Sequence, residues 1–256
     1  MDPQPMNIMD TPRPVVALAT EYSPGEILEF HNHPRAQLLY ASLGVMTVET
    51  HKGIWVVPPH RGVWIPPYMV HKLTVSQHIS MRSLYFQPEL CGNTPQECCV
   101  VSVSPLLKEL ILEASQMPRL YPRNGPEERL LMVVMDRIRQ MDLTPLMNLP
   151  IPRDHRLKAI YQHLDENPGD KRTLEEWGDT IGLTRRTLTR LFLSETSMTF
   201  GQWKQHIRIL KSLPLLAENE QVTTVAMEMG YDNPSAFISV FKKALGKTPS
   251  KYFAGE

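Results

Sequence analysis

The chain has 256 residues, 42% of them hydrophobic and 21% charged, and its formal charges cancel. That length can bury two cores, and the neutral balance excludes a nucleic-acid partner recognised by bulk charge alone. No run is long and apolar enough to span a bilayer, so no membrane partner is expected.

Residues 1–14, with prolines at 3, 5, 12 and 14, lack the layout of a signal peptide and read as a flexible lead. Residues 15–90 read as evenly spaced short strands: Val15 to Ala19, Gln37 to Ala41, Val45 to Thr50, Gly53 to Val57 and Gly62 to Ile65. Glycines at 25, 44 and 53 and proline pairs at 58–59 and 66–67 break them, which predicts a β-barrel or sandwich. Within it stand His31, Asn32 and His33, then Gln37, and later His71. Residues two apart on a strand share a face, so His31 and His33 point together, and His71 at the start of a later strand can join them. Three imidazoles suit a transition metal, with Gln37 as a weak fourth ligand, while the same lining can hold an organic effector or water. His51, His60 and His78 read as turn or surface residues. Cys91, Cys98 and Cys99 are odd in number and lack zinc-ligand spacing, which argues against a disulfide framework and for a cytoplasmic location.

Residues 91–141 read as packing helices. Ser104 and Pro105 open one whose stripe is Leu106, Leu107, Leu110, Ile111 and Ala114. Asn124-Gly125-Pro126 opens another, with Leu130, Leu131, Val134, Met135 and Ile138 inward. Prolines at 145, 150 and 152 mark 142–153 as a linker. From 154 to 256 the pattern is helical, beginning with a helix over 155–166. Divided between residues 152 and 153, the two halves carry −2 and +2, so positive charge must act locally on particular faces.

The helical part says one thing twice. Thr173 to Gly182 lies over Gln221 to Gly230, with Leu174/Val222, Trp177/Val225 and Ile181/Met229 apolar, Gly178/Ala226 small, and a glycine closing each copy. Thr173 and Glu176 form a capping box, Gly182 ends the helix, and Thr184 caps a second one carrying Leu188, Leu191 and Phe192 on one side. In the second copy Asn233 and Pro234 open a helix with Phe237 and Phe241 inward. Helix, glycine turn, helix is the pattern in which the second helix enters a major groove. Exposed candidates for DNA contact are Thr184, Arg185, Arg186, Thr187, Thr189, Arg190, Asn233, Ser235 and Ser239, the arginines suited to phosphate or guanine.

Leu183 to Phe192, Val225 to Tyr231, Ser235 to Phe237, Phe241 to Lys243 and Gly246 to Tyr252 together resemble the AraC/XylS family of bacterial transcription regulators. The resemblance implies two recognition helices in successive major grooves, joined by a helix over 200–217 that Pro214 should bend. Two departures are visible. Ser239 stands where the family has an arginine matching Arg190, and Gln221 replaces a serine or threonine cap. His31, His33, Gln37 and His71 resemble the cupin motifs, which implies a divalent metal in the barrel. Here Gln37 replaces a glutamate, Tyr68 replaces a glycine, and no asparagine follows His71 at the usual spacing.

The expected fold is α+β in two domains: a cupin-like barrel over 15–90 with trailing amphipathic helices, then an all-α double helix-turn-helix over 154–256. The expected function is a ligand-responsive regulator of a nearby promoter, and the barrel type suggests a transporter or efflux gene there. Its partners would be double-stranded promoter DNA, a small-molecule effector, a second copy of the chain, and RNA polymerase where it activates. The alternatives are a metal-dependent cupin enzyme with a helical appendage and a protein-binding adaptor.

Overall fold

The computed structural model describes residues 7–59, 61–141 and 147–253, which form two compact units that divide within the expected linker, with Lys52–Ile54 counted in the second. His60, residues 1–6 of the expected lead and residues 142–146 of the expected linker lie outside the described residues.

Nine strands precede the expected linker among the described residues: β1 (Val15–Tyr22), β2 (Ile27–His31), β3 (Ala36–Leu43), β4 (Met46–Thr50), β5 (Gly53–Val57), β6 (Arg61–Ile65), β7 (His71–Val75), β8 (Ile79–Phe86) and β9 (Cys99–Ser102). One antiparallel sheet runs β1-β8-β3-β6-β9, and in the other β5, β4, β7 and β2 are successive neighbours. Burial explains why β3 shows no alternation. Residues Ala36 to Ala41 are all buried, because both faces of this central strand are covered. Ala36, Leu38 and Tyr40 pack with Val15, Trp64, Leu84 and Phe86 against two helices, α1 (Pro105–Ala114) and α2 (Pro126–Arg139). Gln37 and Leu39 turn to the opposite side, toward the barrel interior.

Three expectations change here. Residues 91–141 are not helices alone: Cys99–Ser102 forms β9 on the edge of the first sheet, paired with β6. The lead is held over its described part, since Arg35, only 3% exposed, donates to the carbonyls of Met9, Thr11 and Arg13. A buried guanidinium without a carboxylate needs such acceptors, and three backbone oxygens supply them. Leu106 is not on the buried stripe of α1; Leu107, Ile111 and Ala114 are, while Leu106 is 56% exposed.

Beyond the short strand β10 (Asn148–Leu149), the second unit forms helices in its described residues: α3 (His155–Glu166), α4 (Leu174–Ile181), α5 (Arg185–Thr196), α6 (Phe200–Ala217), α7 (Val222–Glu228), α8 (Pro234–Leu245) and α9 (Pro249–Phe253). Helices α4 and α5 make the first helix-turn-helix and α7 and α8 the second. Both glycines that close the first helices are left-handed, Gly182 at φ 71° and Gly230 at φ 76°. The capping box of Thr173 and Glu176 forms, whereas Gln221 gives α7 no side-chain cap. Helix α6 runs unbroken through Pro214 and buries Trp203, Ile207, Leu210 and Leu213. At Gly178 any Cβ would strike the Leu183 carbonyl oxygen, so α4 and the turn approach each other only because no side chain intervenes.

Gly178→Ala should therefore lower unfolding stability by about 1–3 kcal/mol. A Cβ at Gly201, on the first turn of α6, meets nothing within 4 Å. Gly201→Ala should leave stability unchanged or raise it by up to about 1 kcal/mol. Urea denaturation of the two variants measures both signs.

Candidate functional site

In the barrel, β2 and β7 set His31 directly opposite His71. His33 arrives differently from the expected strand alternation: β2 ends at His31, and His33 enters from the connection to β3. The ring centroids of His31 and His71 are 4.3 Å apart, those of His33 and His71 5.2 Å. His33 and His71 are buried and His31 is exposed, so the cluster has one open side.

Each imidazole is held by a backbone carbonyl. His31 Nδ1 lies 2.7 Å from Glu29 O, His33 Nδ1 2.6 Å from Arg35 O, and His71 Nδ1 2.8 Å from Met69 O. A carbonyl only accepts, so Nδ1 carries the proton in all three and Nε2 of each neutral ring keeps its lone pair. Burial keeps two of the rings neutral: it holds the His33 pKa below its ordinary value and pulls His71 down to about 4. Ligand-capable nitrogens of the three lie within 4.8 Å of one another.

Gln37, 4% exposed, completes the cluster. Its Oε1 is 3.1 Å from His33 Nε2, and its Nε2 donates to Tyr85 Oη at 2.8 Å and toward Ser83 Oγ at 3.4 Å. With Nδ1 protonated, two lone-pair-bearing atoms therefore face each other. A cation relieves that opposition, since ligand atoms sharing one ion at roughly 2.1 Å sit roughly 3 Å apart. Without a cation, turning the amide over does the same, giving His33 a donor and leaving Oε1 to accept from the Tyr85 hydroxyl. The residues present fit a divalent transition metal held by three imidazole Nε2 atoms and an amide oxygen.

Tyr68 stands at the glycine position of the second cupin motif. It has the left-handed backbone a glycine would supply, φ 60°, and its N–H donates to the His33 carbonyl at 2.8 Å. Sequence reasoning missed Tyr85 and Ser83 because β8 was not foreseen; the alternation of Ile79-Ser80-Met81-Arg82 was the available signal. His78 is a surface residue, 3.3 Å from Glu21. Burial pushes the Cys91 and Cys99 thiols up to about 11 and holds Cys98 well above its ordinary value, which disfavours the reactive thiolate.

In the second unit the exposed residues of α5 form one face, with Arg186, Thr189, Arg190 and Leu193 at helical spacing around a shallow concavity. Some predicted contacts are otherwise engaged. Thr184 Oγ1 accepts from Thr187 N–H and shares a hydrogen bond with the Thr187 hydroxyl, and the Thr189 hydroxyl donates to Arg185 O. Arg185 is 2.7 Å from Glu175, while Arg186 and Arg190 form no ion pair among the described residues. On α8, Asn233 Oδ1 accepts from Ala236 N–H as the N-cap, and Ser235 and Ser239 are exposed.

These geometries meet known proteins in the same order along the chain. Residues 13–138 match a model of the AraC-like ligand binding domain, and residues 177–255 match a helix-turn-helix domain model. The transcriptional regulator NimR of Escherichia coli (strain K12) is 31% identical over 224 residues, covering 88% of this chain and 81% of its own length. RipA of Corynebacterium glutamicum, also a transcriptional regulator, is 34% identical over 115 residues, 45% of this chain and 34% of its own. A solved structure of ToxT from Vibrio cholerae aligns with 94% of this chain and 98% of its own at 12% identity, with a TM-score of 0.40.

The depressed His71 pKa fixes a pH dependence. Between the ordinary value of 6.5 and about 4 the unfolded chain takes a proton that the folded chain refuses. This contribution is complete above pH 6.5 and is lost as pH falls toward 4, by about 1.4 kcal/mol per unit for one proton. Urea unfolding in metal-free buffer should show stability falling across that window, with a shallower fall in His71→Gln.

Proposed function

The chain belongs to the AraC-type family of helix-turn-helix transcription regulators, and we propose that its barrel senses through the His31, His33, Gln37 and His71 cluster. It is a DNA-binding regulator with a ligand-binding domain, and the enzyme reading gives way to that. The observation that carries the sensor proposal is the carbonyl on every Nδ1, which commits three Nε2 lone pairs to one space. The four side chains would hold a divalent metal, which when bound supplies a positive centre for an oxygen or nitrogen of an effector. Tyr85 and Ser83 orient the Gln37 amide, and exposed His31 leaves the effector a way in. An effector acts by binding one of two states better, the states differing in DNA or dimer geometry.

Leu106, Leu120 and Val133 are 56%, 52% and 44% exposed on or beside the trailing helices, which supports a homodimer through that surface. The protein works in the cytoplasm on a nearby promoter, and RNA polymerase is its partner where it activates.

Cobalt(II) added to the metal-free full chain should bind one ion per chain with visible absorption of a low-coordinate site, and His33→Ala should remove it. No binding by the wild type would leave an organic effector on the polar lining as the surviving reading. On the DNA side, Arg190→Ala should weaken binding to sites occupied in the genome by about five- to a hundredfold, and Ser239→Ala by less than twofold. Equal losses would refute the proposed inequality between the two recognition helices.

A further inference from the structure

The reading face of α5 is half polar and half aliphatic. Arg186 and Arg190 supply its guanidinium groups. Between and beyond them lie Thr189 and, one turn on, Leu193, which is 46% exposed. The Thr189 hydroxyl is turned back to Arg185 O at 2.9 Å, so the group this residue can offer a partner is its methyl. An apolar side chain in line with two arginines, with no described element covering it, has a specific counterpart in duplex DNA. In the major groove the one apolar group on a base edge is the 5-methyl of thymine.

We infer that α5 reads thymine as well as guanine: the Thr189 methyl and the Leu193 side chain form a pocket for thymine 5-methyl groups beside the base or phosphate gripped by Arg186 and Arg190. Charge complementarity selects the occupant, because the flanking arginines favour the polyanion over an apolar protein segment. The inference rests on α5 being a reading helix and names part of what it reads. It also assigns a role to Leu193, where a polar residue would be expected if the face touched phosphate alone.

The test uses the full chain. Wild-type protein selects sites from a randomised duplex pool, and the selected duplex is resynthesised with deoxyuridine replacing thymidine one position at a time. That removes the methyl and leaves the pairing edge intact. Wild type should lose about fourfold in affinity for each contacted methyl, as expected for one buried methyl-sized group. Leu193→Ala, an exposed helix position where alanine keeps the fold, should bind the thymidine and deoxyuridine versions alike at one or more of those positions. Leu193→Lys should also lose methyl discrimination while keeping or raising overall affinity through phosphate attraction. Wild type indifferent to every thymine methyl, or Leu193→Ala discriminating as wild type does, overturns the inference. Arg190→Ala separates that outcome from failure of the premise: if it binds the selected duplex as tightly as wild type, α5 does not read the site.

Discussion

A backbone carbonyl on the Nδ1 proton of each of three imidazoles is the constraint on which the sensor site depends. Alone, a buried histidine is ambiguous, because either nitrogen can donate. Here Glu29, Arg35 and Met69 settle the tautomer from the main chain, whose position the sheets fix. The inward nitrogens can then only accept, so the site attracts cations and hydrogen-bond donors and repels acceptors. Strand pairing gives the rest: the register of β2 shifts between Leu28 and His31, which sets His31 opposite His71, and a single connecting segment brings in His33.

On the proposed sensor reading, Gln37 makes the cluster a two-state element. A glutamate there would add a charge and could present only acceptor atoms to His33. The amide presents oxygen or nitrogen at nearly the same shape, and the Tyr85 hydroxyl serves either orientation as acceptor or donor. On that reading, an amide in place of a carboxylate weakens the proposed metal site and adds a responsive group. Tyr68 belongs to the same economy: a tyrosine with φ 60° is a sparsely populated conformation, held beside His33 by a hydrogen bond to its carbonyl.

Much of this was legible in the sequence where local rules suffice. The matched glycines, the capping box and the inward phenylalanines of α4, α5 and α8 are decided within a few residues, and they fall where the pattern puts them. Five strands were legible from short apolar runs and their breakers. β8 and β9 were not, because the alternation of Ile79-Ser80-Met81-Arg82 breaks at Ser83 and Cys99-Val100-Val101-Ser102 is only four residues long. The histidine cluster was legible as a set, since its members lie near recognisable strand ends. The Tyr85 partner of Gln37 depends on pairing across more than forty residues, which no local pattern encodes, whereas each tautomer is set by a carbonyl two residues away. The engagement of the Thr184, Thr187 and Thr189 hydroxyls was not legible: a hydroxyl in the first turns of a helix is as useful to the helix as to DNA, and here the helix takes it.

The segment taken for a linker is, in its described part, fastened to the first helix-turn-helix. Glu195 near the end of α5 accepts the N–H groups of Arg153 and Asp154 at 2.6 and 3.0 Å, and Trp203 of α6 donates to Pro150 O at 2.9 Å. The peptide entering the second unit is thus bonded, in its described residues, to the helix that carries Arg186 and Arg190. The asymmetry of the two copies points the same way. α7 has no side-chain cap, and the reading face of α8 has serine where α5 has an arginine. Coupling between effector and DNA needs only about 1–3 kcal/mol. On the proposed reading, a change of that size carried along the chain acts first on α5, where the DNA-binding energy is concentrated, so the weaker second copy costs the response little.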